Sequence, residues 1–130
     1  MEVAEWVERY RQAWEQADAD AAVELFTPDA SYRAHIFSEA YVGSDAIRGY
    51  WQRATDEASD IRVRMGEPLV VGRRAAVEWW TTMTEPDEGA VTLPGCLLLR
   101  FAEDGRCEGL HEYWVLAKGT SEPPPEFGLP

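Results

Sequence analysis

Two cysteines in 130 residues are too few for a disulfide scaffold. A hairpin turn at Asp104-Gly105 would set Cys96 opposite Tyr113 and Cys107 opposite Ala102, so the sulfurs would not meet. Free thiols in a reducing, cytoplasmic compartment are expected. Histidine is as scarce: His35 and His111 lie far apart, on opposite strand faces by alternation, and lack the spacing of metal ligands. Basic charge is the third shortage. Twelve Lys and Arg stand against 24 Asp and Glu, a net charge of -12. Such a surface repels phosphate backbones and anionic lipid, which argues against nucleic-acid and membrane-surface partners. No run of about 20 apolar residues is present to span a bilayer. The stretch Met1 to Trp14 is acidic and helical in pattern, without the basic-then-apolar layout of a secretory leader. A glycine-rich phosphate loop and a nucleophile elbow are also lacking, so neither a cofactor nor a metal is expected.

What is present is apolar and aromatic. Hydrophobic residues make up 45% of the chain and six are Trp, enough for one real core. Trp6, Val7, Tyr10, Ala13, Trp14 and Ala17 recur at spacings of three and four, one face of a helix. Asp18 or Asp20 caps a second, short helix through Phe26, and Pro28-Asp29 stops it. A β-rich stretch, Ser31 to Phe37, follows. Ser44 is read as the N-cap of a third helix, with Ile47, Tyr50, Trp51 and Ala54 as its buried stripe. After Asp60 the period changes to two, and Gly66 and Pro68 mark a bulge or bend. Strands are expected at Ala75 to Thr84, Val91 to Phe101 and Cys107 to Ala117, the last two joined by a turn at Glu103 to Arg106. Helices followed by antiparallel strands argue an α+β domain with helices on one sheet face, over residues 1–118. The tail, residues 119–130, carries Pro123-Pro124-Pro125 and is expected to be extended or mobile.

Alternation sorts the strand faces. Pairing Glu103 with Arg106 sets Leu99 opposite Leu110 and Leu97 opposite Glu112, and the apolar faces coincide. Val77, Trp79, Thr81 and Met83 form the inward face of the strand before. Glu112 therefore falls among Leu97, Leu110, Trp114 and Leu116, and burial without a cation would raise its pKa toward neutrality. The outer face, with Trp80, Leu98, Tyr113 and Val115, is apolar enough to form a homodimer interface.

Glu8-Arg9-Tyr10, Asp18 to Ala22, Leu25 to Ala30, Gly43 to Arg48 and His111 to Trp114 together resemble the NTF2-like superfamily, and within it the SnoaL-like and ketosteroid-isomerase-like branch. The likeness covers roughly residues 3 to 117. It implies a cone-shaped, strongly curved mixed sheet and three N-terminal helices around a pocket for a small molecule. It does not settle function, because isomerases, cyclases, epoxide hydrolases, dehydratases and non-catalytic binders share the fold. In the ketosteroid isomerase pattern Tyr10 falls on the oxyanion-hole tyrosine. The general base falls on Ala34, and the second oxyanion acid near Leu97. In the limonene-epoxide-hydrolase pattern Glu112 matches the last-strand aspartate, while the arginine and second aspartate fall near Trp79 and Thr81. Neither mechanism is complete in this chain.

Three candidate catalytic residues result. Glu112 is a buried acid, base or hydrogen-bond donor, or else sits at the cavity rim or beside an arginine. Tyr10 is an oxyanion donor or a core tyrosine with its hydroxyl satisfied. His35 is a natural base near neutral pH, facing away from the pocket by simple alternation and toward it if a bulge intervenes. Trp14, Tyr32, Trp51, Trp79, Thr81, Leu97, Leu99, Leu110 and Trp114 are the expected pocket lining for a hydrophobic, ring-shaped ligand. The expected activity is cofactor-free proton transfer on a cyclic carbonyl compound, as an isomerase, cyclase or lyase. The alternatives are a ligand-binding dimer and a dimeric interaction protein.

Overall fold

A computed structural model describes residues 1–129 of the chain; Pro130 lies outside the described residues. Three helices, α1 (Val3–Glu15), α2 (Ala19–Val23) and α3 (Ser44–Thr55), pack on a curved mixed sheet. Its strands are β1 (Phe26–Arg33), β2 (Tyr41–Val42), β3 (Ser59–Met65), β4 (Leu69–Val71), β5 (Arg74–Glu85), β6 (Gly89–Phe101), β7 (Cys107–Trp114) and β8 (Ala117–Lys118). The order is β2-β1-β7-β6-β5-β3, with β4 on β5 and β8 on β6. Among the described residues, only β1 and β7 pair in parallel.

The apolar stripe of α1 buries Trp6, Val7, Tyr10 and Ala13. Trp6 fixes the helix through its indole N–H, which donates to the Leu25 carbonyl at 2.8 Å. At the far end of α1, a Glu15 carboxylate oxygen accepts the Val63 backbone N–H of β3 at 2.8 Å. Asp18 caps α2 by accepting the Ala21 N–H at 3.0 Å.

Several boundaries differ from the sequence expectations. The first strand starts at Phe26 rather than Ser31, and residues 36–37 form a turn. Pro28 has no N–H for the ladder, and the β1–β7 register slips between Phe26 and Ser31 to leave Pro28 and Asp29 exposed in a bulge. Gly43, not Ser44, is the N-cap of α3, because the turn out of β2 needs its φ of 92°. The last strand stops at Trp114, and β8 resumes the pairing with β6.

The β6–β7 hairpin has the expected register: Leu99 faces Leu110, Leu97 faces Glu112 and Cys96 faces Tyr113. Near the turn the ladder shifts by one residue, so Cys107 pairs with Phe101 rather than Ala102. Cys96 and Cys107 are both free thiols.

The C-terminal segment, expected to be extended or mobile, runs without regular structure to Pro124 and is held to the sheet by a few contacts. Its backbone lacks a strand partner over most of its length, so side chains of the sheet supply the polar contacts. The Trp80 indole N–H donates to the Ser121 carbonyl, Thr92 Oγ1 bonds Gly119 and Ser121, and the Gly128 N–H donates to Glu78. The Phe127 ring meets Trp80 edge-on at 6.2 Å.

On the inner face, Gly95 of β6 lies across from Trp79 on one side and Trp114 on the other. A Cβ at Gly95 would come within 2.3 Å of the Trp79 ring and 2.7 Å of the Tyr113 carbonyl. Only glycine lets the indole lie against this strand. Gly95→Ala is expected to destabilise the fold by about 2 kcal/mol, as overpacked cores do, read from the midpoint of urea unfolding. An unchanged midpoint would mean that the sheet absorbs the methyl group.

Candidate functional site

The helices and the concave sheet face enclose a cavity of about 380 Å³, within the range of small-ligand sites. Helix α1 contributes Tyr10 and Trp14, α3 contributes Tyr50 and Trp51, and β1, β5 and β7 contribute Tyr32, Trp79 and Glu112. The rings interlock. Tyr10 stacks on Trp6 at 5.2 Å and meets Trp51 edge-on at 5.4 Å, while Trp14 meets Trp79 edge-on at 4.9 Å. Such contacts fix the wall in place before any ligand arrives.

Glu112 is 5% exposed and lines this cavity. Burial alone raises its pKa to about 8, with no cation nearby to oppose the shift. At neutral pH it is therefore mainly a carboxylic acid, able to donate a hydrogen bond. The Tyr10 and Tyr32 hydroxyls lie 2.8 Å apart and hydrogen-bond to each other. Burial, then the nearby Glu112 charge, pushes both phenols well above their usual range, so both stay neutral. Tyr50 is raised by the same two causes. The acid and three phenols thus form one electrostatic group.

His35 follows β1 in an exposed loop, and its ring meets Trp114 edge-on at 5.0 Å. The Trp114 indole N–H donates to the Ala34 carbonyl at 2.8 Å, which ties the loop to β7. The Arg33 guanidinium donates to the Ser38 carbonyl and closes the loop from its other end. His35 lines the cavity from the rim. Tyr32 and Ala34 face inward, and the chain turns after them, which is how His35 reaches the pocket side.

The structure brings together Tyr10, Trp14, Tyr32, His35, Trp51, Trp79, Glu112 and Trp114 on the cavity wall. Thr81, Leu97, Leu99 and Leu110 are buried but lie off that wall. They share the inward strand face, yet they fill the layer of core between sheet and helices. The sequence reading missed Tyr41, Arg53 and Glu85, which stand on the wall, and Tyr50 as a lining residue. Tyr41 and Tyr50 stack at 4.9 Å, and Arg53 lies over the Tyr41 ring at 5.7 Å. The spacing of Tyr50 and Arg53 on α3 was a usable signal; a two-residue β2 gave none for Tyr41. Glu78 and His111 belong to the outer face, as alternation indicates. Among the described residues no group of three His, Cys, Asp or Glu side chains is placed to hold a metal, and no helix is long and apolar enough to cross a membrane.

The Glu112 shift has a consequence for stability. The native protein keeps this proton up to about pH 8, whereas an unfolded chain releases it near the ordinary value of 4.5. Between these limits the native state binds one more proton at this group, so the contribution of Glu112 to stability is fully present below the lower value and is lost as pH rises to about 8. The slope is up to roughly 1.4 kcal/mol per pH unit. Glu112→Gln is expected to abolish this slope in urea unfolding between pH 5 and pH 8. Equal slopes in both proteins would show that Glu112 is not buried as an acid.

In overall structure the chain is similar to SalBIII, an epoxide hydrolase/cyclase-like enzyme of pyran ring formation in the polyether salinomycin. The identity is 20%, over 89% of this chain and 95% of that one, with a TM-score of 0.79. It is also similar to a hypothetical protein of ketosteroid isomerase-like fold from Catenulispora acidiphila, in complex with trimethylamine (20% identity, 84% of each chain, TM-score 0.76). A third likeness is to a protein described as a SnoaL-like polyketide cyclase from Shewanella denitrificans (14% identity, 86% of this chain and 89% of that one, TM-score 0.75). These identities carry the fold alone. No curated protein sequence matches significantly. The family model of the SnoaL-like domain matches residues 7–109, and by that match the chain belongs to the SnoaL-like domain family.

Proposed function

We propose that the chain is a cofactor-free acid–base enzyme acting on a hydrophobic, cyclic carbonyl compound, as an isomerase, cyclase or lyase. The observation that carries this reading is a buried, uncompensated Glu112 on the same cavity wall as the Tyr10–Tyr32 hydroxyl pair. In the isomerase form, the substrate carbonyl accepts hydrogen bonds from neutral Glu112 and the tyrosine pair. His35 takes a proton from the carbon beside the carbonyl. The C–H electron pair becomes the new C=C bond, the carbonyl π pair moves to oxygen, and Glu112 supplies the proton to that oxygen. Return of the enol proton to Glu112, with delivery from His35 to a different carbon, completes the shift and restores both groups. Ketosteroid isomerase, a worked case of a carboxylic acid held neutral by an apolar site, shows that such an acid can stabilise an oxyanion. In the cyclase form a hydroxyl oxygen of the substrate attacks an epoxide carbon as that carbon's bond to the epoxide oxygen breaks, His35 takes the hydroxyl proton and Glu112 gives a proton to the released oxygen.

A second reading is a binding protein that holds the ligand without turning it over. It is favoured by Ala34 and Leu97, apolar residues where the resemblance to ketosteroid isomerase looks for a base and an acid. Free thiols at Cys96 and Cys107 fit a cytoplasmic setting under either reading. We further propose a homodimer through the outer sheet face. Leu98, Tyr113 and Val115 are 44%, 42% and 66% exposed there, while Trp80 is covered by the C-terminal segment and drops out of the expected interface.

Turnover is tested with a series of cyclic β,γ-enones, following conjugation by absorbance. The expected rate falls above pH 8 as Glu112 ionises, and Glu112→Gln lowers kcat by about 10²–10⁴-fold. Binding without turnover in the wild type establishes the binding protein instead. For the dimer, Leu98→Glu is expected to yield a monomer in analytical ultracentrifugation; a monomeric wild type, or a variant that still dimerises, overturns that interface.

A further inference from the structure

The fold buries the Glu112 carboxyl without giving it a partner. The residue is 5% exposed, and burial is the one cause of its raised pKa, so neither a hydrogen bond nor a cation of the protein offsets the cost. Its oxygens are nevertheless not sealed. Among the described residues, the buried side-chain polar atoms that lack both a partner and accessible surface belong to Thr27, Trp51, Trp79 and Thr81. The Glu112 oxygens, unpartnered yet outside that set, keep surface open to the cavity that the residue lines. Tyr50 is raised by burial and then by the Glu112 charge, and the Arg53 guanidinium opposes this; Arg53 leaves no such mark on Glu112 itself.

What surrounds this acid is aromatic. Trp14, Tyr41, Tyr50 and Trp114 line the cavity and are only half-buried, so ring surface remains free for a ligand. One cation of the protein already uses such a ring, since Arg53 lies over Tyr41 at 5.7 Å. Hydrogen-bond acceptors are scarce by contrast. The Tyr10 and Tyr32 hydroxyls bond each other, and the Thr55 hydroxyl donates to the Trp51 carbonyl. A primary ammonium has three hydrogens to place and finds too few acceptors here, whereas a tertiary one has a single hydrogen and a quaternary one none. The net charge of -12 raises the concentration of cations around the molecule. We infer that the cavity also takes hydrophobic ring compounds bearing a tertiary or quaternary ammonium group, whose charge is met by the Glu112 carboxyl and the rings beside it. The inference adds a ligand class to the proposed function and rests on it only in taking this cavity as the ligand site. A tertiary amine takes the Glu112 proton on its nitrogen lone pair as the O–H bond breaks, which leaves an ammonium beside a carboxylate. A quaternary cation cannot accept that proton, which leaves to solvent on binding.

The probes are phenyltrimethylammonium and tert-butylbenzene, equal in shape and different in charge. The cation selects the carboxylate form of Glu112. Its affinity is therefore expected to rise about tenfold from pH 6 to pH 7 and to level off above about pH 8. Tyr10 of α1, Tyr32 of β1 and Tyr50 of α3 stay neutral over this range. The other titratable or charged groups on the wall are His35, Tyr41, Arg53 and Glu85. The rise is expected to persist in His35→Gln and to vanish in Glu112→Gln, which separates Glu112 from all four. At pH 9 Glu112→Gln is expected to bind the cation at least about tenfold more weakly, as loss of a facing charge requires, and tert-butylbenzene about as well as the wild type does. The Glu112 ¹³Cδ resonance, assigned by its loss in Glu112→Gln, should move downfield at pH 7 when the cation binds and stay in place with tert-butylbenzene. Equal cation affinity at pH 6 and pH 8, equal binding to wild type and Glu112→Gln at pH 9, or no binding of the cation at pH 9 overturns the inference. If Glu112→Gln does not fold, the wild-type pH dependence decides, through the contrast between cation and tert-butylbenzene. Cation binding of this kind with no turnover of any enone removes the enzyme reading and leaves this inference standing; enone turnover with no rise in cation affinity does the reverse.

Discussion

One register fixes the chemistry of this molecule. The β6–β7 hairpin sets Leu97 against Glu112 and Leu99 against Leu110, so every second residue of both strands points into the cone. A slip of one residue would send Glu112 to solvent and His111 inward. The turn that holds the register is short and well made: Gly105 adopts a φ of 90°, and Asp104 accepts the Arg106 backbone N–H at 2.9 Å. Burial of the carboxyl, with no cation to oppose it, is the whole cause of the raised pKa. The ionisable group at the centre of the site is therefore a product of strand pairing rather than of a charge cluster.

The aromatic wall is the second layer of the same constraint. Glycine at position 95 lets Trp79 lie flat where a side chain would otherwise stand, and Trp14 closes on it from the helix side. Tyr10, held between Trp6 and Trp51, is positioned by ring contacts, so its hydroxyl meets Tyr32 without a charged partner. A wall of rings is stiff, and its polar tips are few and directed. A polar-lined pocket of the same size would hold water against Glu112 and lower its pKa again.

What could be read from the sequence tracks what short-range periodicity encodes. The three helices, the inward faces of β5, β6 and β7, and the hairpin register all follow from spacing, and so does the burial of Glu112. The family followed from short motifs, and the match over residues 7–109 agrees with it. Features set by long-range contact were misread. Pro28 looked like a helix stop but sits in a bulge of β1, because β7 pairs with the chain on both sides of it. Leu97, Leu99, Leu110 and Thr81 have the right facing for the cavity, but facing does not tell core from cavity wall. The C-terminal segment has few apolar residues, and its contacts with Trp80, Thr92 and Glu78 on the sheet had no local signal. Those partners are 27 to 50 residues away, beyond any local pattern.

The charge of the whole chain and the neutrality of its site belong together. The surface carries a net charge of -12, while burial keeps the carboxyl of Glu112 neutral. The field of that surface repels anionic ligands, and Arg53, laid over the Tyr41 ring, is the one Lys or Arg on the wall among the described residues. A neutral ligand meets no such barrier, and it loses little hydration on entering an apolar cavity. The adjacent residues Trp79 and Trp80 divide the work between faces: one indole forms the cavity wall, and the other anchors the C-terminal segment. Position along the strand, not residue type, decides which role a tryptophan takes.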